Sequence, residues 1–235
     1  MPIIATAAWS IPKSVVSRFR QEGSGLARYA AVFNGVEINS TFYRRHRATT
    51  FERWAAAVPD NFRFAVKLPG EITHTLRLKN IGEAFRVFLG DISPLHGKLG
   101  PLLCQLPPSL PFDEQDAETA FGTMRTRHQG PIVLEVRHKS WADDRALALL
   151  TRFSIGRVLA DPAPVWQVAD LPLPIEYVRL HGAPKRYYSS YSDKELQSFR
   201  TVLGPGSWCV FDNTASGAAA QNALRMLDMR SSPAT

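Results

Sequence analysis

Cysteine is scarce: the chain has two in 235 residues, Cys104 and Cys209, each inside an apolar run and neither in a CxxC pair. That spacing excludes a zinc motif and a disulfide framework, and it fits small buried thiols in a reducing compartment. Long apolar runs are missing too. No stretch approaches the roughly 20 residues of a membrane span, and no basic segment leads into an apolar one at the N-terminus. The expectation is a soluble, cytoplasmic protein with no membrane partner. Lysine is sparse, since 21 of the 28 basic residues are arginine, and against 21 acidic residues they leave a net charge of +7. Arginine suits bidentate contact with carboxylate or phosphate, although an excess of this size also simply aids solubility. A glycine-rich turn after the first strand, a nucleophile elbow and His-x-His or His-x-x-Glu spacing are all absent. These absences weigh against a dinucleotide fold, a Ser or Cys nucleophile and a metal centre recognisable by motif.

What is present is organised around Val36-Glu37-Ile38-Asn39-Ser40-Thr41-Phe42-Tyr43, an apolar strand that carries a carboxylate and an amide. Residues two apart in a strand share a face, so Glu37 and Asn39 project together. A carboxylate in an apolar setting needs a partner or a pocket. Seven further strands follow the same plan: Ile3–Trp9 before it, then Phe62–Lys67, Pro101–Pro107, Ile132–His138, Arg157–Asp161, Glu176–Gly182 and Trp208–Asn213. Helical spacing fills most gaps, as in Ile81, Ala84, Phe85, Phe88, Leu89 and Ile92. Thr49 with Glu52 and Ser192 with Glu195 read as capping boxes, and Ser140 reads as a helix cap. Pro162, Pro164, Pro172 and Pro174 leave the helix after strand six shortened or missing. The pattern predicts an α/β fold, a single closed (β/α)8 barrel over residues 1–229, with 230–235 a flexible tail. A doubly wound open sheet is the rival, and no linker divides the chain.

Glu37 to Tyr43, Phe64-Ala65-Val66-Lys67, Ile72-Thr73-His74 and Gln105-Leu106-Pro107-Pro108 resemble successive signatures of the YecE-like family, domain of unknown function seventy-two. Arg137 to Trp141, Tyr177 to Gly182 and Asp212-Asn213-Thr214 continue the resemblance in order over nearly the whole chain. The resemblance implies a TIM-type barrel and supplies no reaction. Ala8 departs from the pattern, standing where a glycine usually precedes the tryptophan, and Val136 replaces a proline or aromatic residue.

In such a barrel the site lies at the carboxyl ends of the strands, and here those ends are polar while the strand starts are apolar. Glu37, Glu135 and His181 are the candidate catalytic groups. Asn39, Lys67, Gln105, Arg137 and Arg179 are candidates to bind substrate at strand ends, and Asp161, Asp212 and Asn213 join them. Asp212 and Asn213 point to opposite sides, so at most one lines a pocket. Glu37, Glu135, Arg137 and Arg179 are expected to form one polar network, since each would be costly alone. His74 lies beyond strand three, where it can cover the mouth or tie a loop. The segment from Lys185 to Tyr191, with Tyr187, is expected to be a mobile lid. Gly217 opens the last helix and is a candidate anion site.

Three chemistries follow. Lys67, Arg137, Arg179 and His181 suit a phosphate or carboxylate, with Glu37 or Glu135 as base, which favours an enzyme acting on a small anionic, phosphorylated or sugar-like substrate without a cofactor. The acidic residues with His181 leave a divalent metal, and a metal-dependent isomerase or hydrolase, as an alternative. The Arg44-Arg45-His46-Arg47 cluster and the tyrosine-rich loop leave nucleic-acid binding as another.

Overall fold

A computed structural model describes residues 1–229, so the expected tail at 230–235 lies outside the described residues. Eight parallel strands are present among them: β1 Ile3–Thr6, β2 Gly35–Ile38, β3 Arg63–Lys67, β4 Leu99–Gln105, β5 Ile132–Glu135, β6 Ile155–Asp161, β7 Tyr177–Leu180 and β8 Trp208–Phe211. Neighbours in sequence are neighbours in the sheet, and β1 pairs with β8. The last seam, between β1 and β2, is closed by a bridge from Ala7 to Glu37 and by the Ala8 N–H donating to the Glu37 carbonyl at 3.1 Å. The result is a closed barrel, not the open sheet. Among the described residues seven helices coat it: α1 Gly25–Ala30, α2 Ala48–Ala56, α3 Gly82–Ile92, α4 Glu114–Arg127, α5 Asp144–Arg152, α6 Asp193–Thr201 and α7 Ala218–Asp228.

The strands read as apolar on both faces because both faces are covered. One face meets the helices through residues such as Ile4, Val36, Phe64, Leu102 and Phe211. The other fills the barrel with Ala5, Ala7, Ala65, Leu103, Val133, Val158, Tyr177, Trp208 and Val210. Trp208 plugs the amino-terminal end, stacked on Tyr177 with ring centroids 6.0 Å apart. Its indole needs Gly100 beside it, where a Cβ would lie 2.8 Å from the ring. Between β6 and β7 the four prolines leave a single 3-10 turn, Val168–Asp170, in place of a helix.

Local signals were less reliable than the strand pattern. The Ser192–Glu195 capping box forms at α6. The Thr49–Glu52 box does not: α2 starts two residues earlier, after Arg47, without a side-chain cap. Ser140 does not cap α5 either; Asp143 does, and the Ser140 hydroxyl accepts from the Phe112 N–H at 2.7 Å.

Candidate functional site at the barrel mouth

The interior face of each strand continues from apolar side chains into polar ones at its carboxyl end. Small side chains make this feasible, since Ala7 and Ala65 flank Glu37 and Ala160 sits beside Arg179 in register. Into that space Arg179 extends with no exposed surface. Its Nε and Nη2 donate to the two oxygens of Glu37 at 3.0 and 2.8 Å, and Nη1 donates to Glu135 Oε2 at 2.6 Å. Nη2 donates again to Asp212 Oδ2 at 3.0 Å. The planar fork of a guanidinium is suited to this shared task, which a lysine could not perform. The Tyr177 hydroxyl adds a bond to Glu37 Oε2 at 2.9 Å. Arg137, just past β5, donates through Nε and Nη2 to Glu135 Oε1 at 3.1 and 2.9 Å. The expected network of Glu37, Glu135, Arg137 and Arg179 is therefore present. His181 joins it through Nδ1, 3.0 Å from Asp212 Oδ2, while Nε2 lies 3.3 Å from Glu135 Oε1 without a hydrogen bond to it.

Mutual neutralisation sets the charges. Burial works against the Arg179 cation, but Glu37, Glu135 and Asp212 outweigh it and raise its pKa well above the ordinary value. Burial likewise opposes charge on Glu135, and Arg179, His181 and Arg137 overcome it, holding the carboxyl well below its usual range. Asp212 is lowered in the same manner, against burial, by Arg179 and His181. For His181, burial is again overcome, here by Glu135 and Asp212, so the imidazole is held toward its charged form.

Lys67 departs from this pattern. It is 6% exposed, and it takes no part in the hydrogen bonds and ion pairs that tie Arg179, Arg137, His181 and Tyr177 to the three carboxylates. It lies instead 4.1 Å from the centroid of the Phe42 ring. Burial first and the Arg179 charge second bring its pKa down to about 8, although Glu37, Glu135 and Asp212 pull the other way. Beyond it, His74 sits on a one-turn π-helix, Glu71–Thr75, with its ring 4.7 Å from Phe42. Burial and the charges of Lys67 and Arg137 lower its pKa as well. Tyr187 stands on the opposite side, its ring edge-on to His181 at 5.7 Å.

The remaining candidates divide. Gln105 lies in the mouth and donates to the Leu106 carbonyl at 3.1 Å, while Asn39 keeps a buried side-chain oxygen with no partner. Asp161 does not join the cluster. It is turned outward, where its carboxylate accepts from the Tyr191 hydroxyl at 2.7 Å. Of the β8 pair, Asp212 faces inward and Asn213 outward, donating to the Ser189 carbonyl and to Asn222 at 2.9 Å. Gly217 is apart from Arg179 and His181: it borders Pro12, with φ +80°. Nearby donors are already used, Gly217 N–H by the Thr214 carbonyl and Ala219 N–H by the Asn213 carbonyl. In the supposed lid, Tyr191 is a buried anchor while Tyr187 and Tyr188 are exposed. Two participants escaped the sequence reading. Tyr177 shares the face of Arg179 by simple alternation and was findable; Phe42 lies on a 3-10 turn, Ser40–Phe42, where no periodicity marks it.

Among the described residues no group of three His, Cys, Asp or Glu side chains is placed to hold a metal, and no helix is long and apolar enough to cross a membrane. Outside the barrel, a cavity of about 210 Å³ lies between the 41–46 loop and α3. Tyr43, Arg44, Arg45 and His46 line it, and Arg45 is bonded to Asp91 there.

An eight-stranded parallel barrel with its polar side chains gathered at the carboxyl ends of the strands is a TIM-type (β/α)8 protein. The chain belongs to the family described as protein of unknown function DUF72, whose model matches residues 3–234. It is similar to the YunF protein of Bacillus subtilis, 24% identical over 97% of this chain and 94% of that one. It is also similar to YecE of Escherichia coli, 36% identical over 107 residues, which are 46% of this chain and 38% of YecE. That match thus spans well under half the length of YecE. A solved DUF72 family protein of Thermotoga maritima shares 26% identity and a TM-score of 0.79, covering 99% of this chain and 100% of that one.

Proposed function

We propose that the chain is an enzyme acting on a small anionic molecule, phosphorylated or sugar-like, bound at the carboxyl ends of the strands. Lys67 is the observation that carries this reading. A nearly buried ammonium that pairs with no carboxylate is costly, and the three carboxylates of the mouth are already committed to Arg179, Arg137 and His181. An anionic ligand supplies the missing acceptor. Arg137 is the second group able to hold it, because its side chain is 15% exposed where Arg179 is not exposed at all. His181, kept toward imidazolium, is the proton donor. Glu135 is held too far below neutrality to be an effective base, so it orients Arg137 and His181, and Glu37 fixes Arg179. Phe42 and Tyr187 exclude water once the ligand is in place.

Calorimetric titration with inorganic phosphate and with sugar phosphates tests the reading. Binding is expected, weakened at least about tenfold by Arg137→Ala and by Lys67→Met, the loss of one charge-assisted contact. No binding of any such anion would refute it. A nucleic-acid role has one observation in its favour, the 77% exposed ring of Tyr43 beside Arg44. Against it, Arg45 is committed to Asp91 and Lys185 lies over the Tyr188 ring.

A further inference from the structure

We propose that Lys67 is a covalent nucleophile whose Nζ condenses with the carbonyl carbon of a small anionic aldehyde or ketone to form an iminium at the barrel mouth. This rests on the anion-binding reading above and adds what the anion must carry.

The geometry separates Lys67 from an ordinary charge-neutralising lysine. Such a residue meets a carboxylate, and three are nearby, yet their oxygens accept from Arg179, Arg137, His181 and Tyr177. Lys67 is left with the face of Phe42, 4.1 Å from its Nζ, and with 6% of its surface exposed. A desolvated lysine beside another cation is the standard arrangement for an amine nucleophile. With its pKa brought down to about 8, about a tenth of the amine is neutral at pH 7, against roughly one part in several thousand for an ordinary lysine.

Two histidines of the mouth are the proton carriers of this proposal, His74 packing on the same Phe42 ring as Lys67 Nζ. His74, whose pKa is lowered, is a neutral imidazole within reach of the charges of Lys67 and Arg137. His181 is held toward imidazolium. His74 takes a proton from the Lys67 ammonium, and the freed lone pair adds to the carbonyl carbon. The carbonyl oxygen takes a proton from His181, which recovers one from the new C–N nitrogen, leaving a neutral carbinolamine. His74 returns its proton to the hydroxyl, which departs as water while the nitrogen lone pair closes the C=N bond. Ammonium and carbonyl become iminium and one water, with no net change in protons and no oxidant or reductant. Arg137 holds the anionic end of the substrate meanwhile.

The test is reductive trapping. The protein is incubated with cyanoborohydride and either dihydroxyacetone phosphate or pyruvate, and modified lysines are located by peptide mass mapping; the two probes distinguish a phosphate from a carboxylate substrate. Lys67 is expected to gain the reduced adduct at least tenfold faster than the exposed Lys13, Lys139, Lys185 and Lys194. In parallel, glycerol 3-phosphate, an anion without a carbonyl, is titrated calorimetrically. If it binds and Lys67 stays unmodified by both probes, the iminium is refuted and the anion reading stands. If nothing binds and nothing is trapped, both fall. Labelling spread evenly over the exposed lysines also refutes the iminium. Because the mapping is done on the unaltered protein, its outcome does not depend on a variant folding. Lys67→Arg, which keeps the charge, is expected to bind glycerol 3-phosphate and to lose the adduct.

Discussion

Two buried cations share the mouth, and their surroundings drive them in opposite directions. Arg179 receives three carboxylates and is held charged, whereas Lys67 receives an aromatic ring and a neighbouring cation and is pushed toward neutrality. The difference has a consequence for stability. Lys67 has a folded-state pKa of about 8, below its ordinary 10.5, so between those values the unfolded chain binds more protons and stability rises with pH. The cost of charging Lys67 is full below pH 8 and fades as the pH approaches 10.5. Lys67→Met keeps the stem and removes the charge. It is expected to exceed the parent in stability at pH 7, by up to about 3 kcal/mol for a shift of this size, with the gap closing by pH 10.5. Urea denaturation at both pH values checks this. A variant less stable at pH 7, or a gap independent of pH, would contradict the assignment. Much of this cluster was legible from alternation alone, since Glu37, Arg137, Arg179 and His181 each sit one pleat from another polar residue on an apolar strand. What alternation cannot supply is which face is inside, because a shift of one residue exchanges them. Asp161 was misplaced for that reason, and the choice between Asp212 and Asn213 stayed open until the register was seen.

At the scale of elements, the strands were legible and their ends were not. Apolar residues on both faces announce a buried parallel strand wherever it starts, and four prolines announce a missing helix. Helix starts depend on single backbone donors: α2 begins after Arg47, two residues before Thr49 and with no side-chain cap, and α5 is capped by Asp143, three residues beyond Ser140. The turn after β1 holds a non-glycine residue in a conformation that favours glycine. Ala8 has φ +108°, where a side chain is strained, and it holds that conformation because its N–H bonds the Glu37 carbonyl across the closing seam. A glycine, which the family resemblance leads one to expect at this position, meets no such strain. Ala8→Gly is therefore expected to stabilise the chain by about 1 kcal/mol, the left-handed penalty less the greater flexibility of glycine when unfolded. Thermal denaturation measures it. A fall in Tm would mean that the seam, and not the residue, sets this conformation at no cost.

For the molecule as a whole, closure of the barrel turns eight polar strand ends toward a single place, and only some of them arrive there. Trp208 fills the amino-terminal end, stacked on Tyr177. Two other locations compete as anion sites on sequence grounds. The Gly217 turn has its donors largely occupied, and the Arg44 to Arg47 loop sits outside the barrel beside a cavity that Phe42 also lines. The most direct measurement is a crystal structure of the protein soaked in phosphate. An anion is expected within about 3 Å of Lys67 Nζ, hydrogen-bonded also to Arg137. Density confined to the Gly217 turn, or to Arg44 and Arg47 with the mouth unchanged, would contradict a binding site at the strand ends.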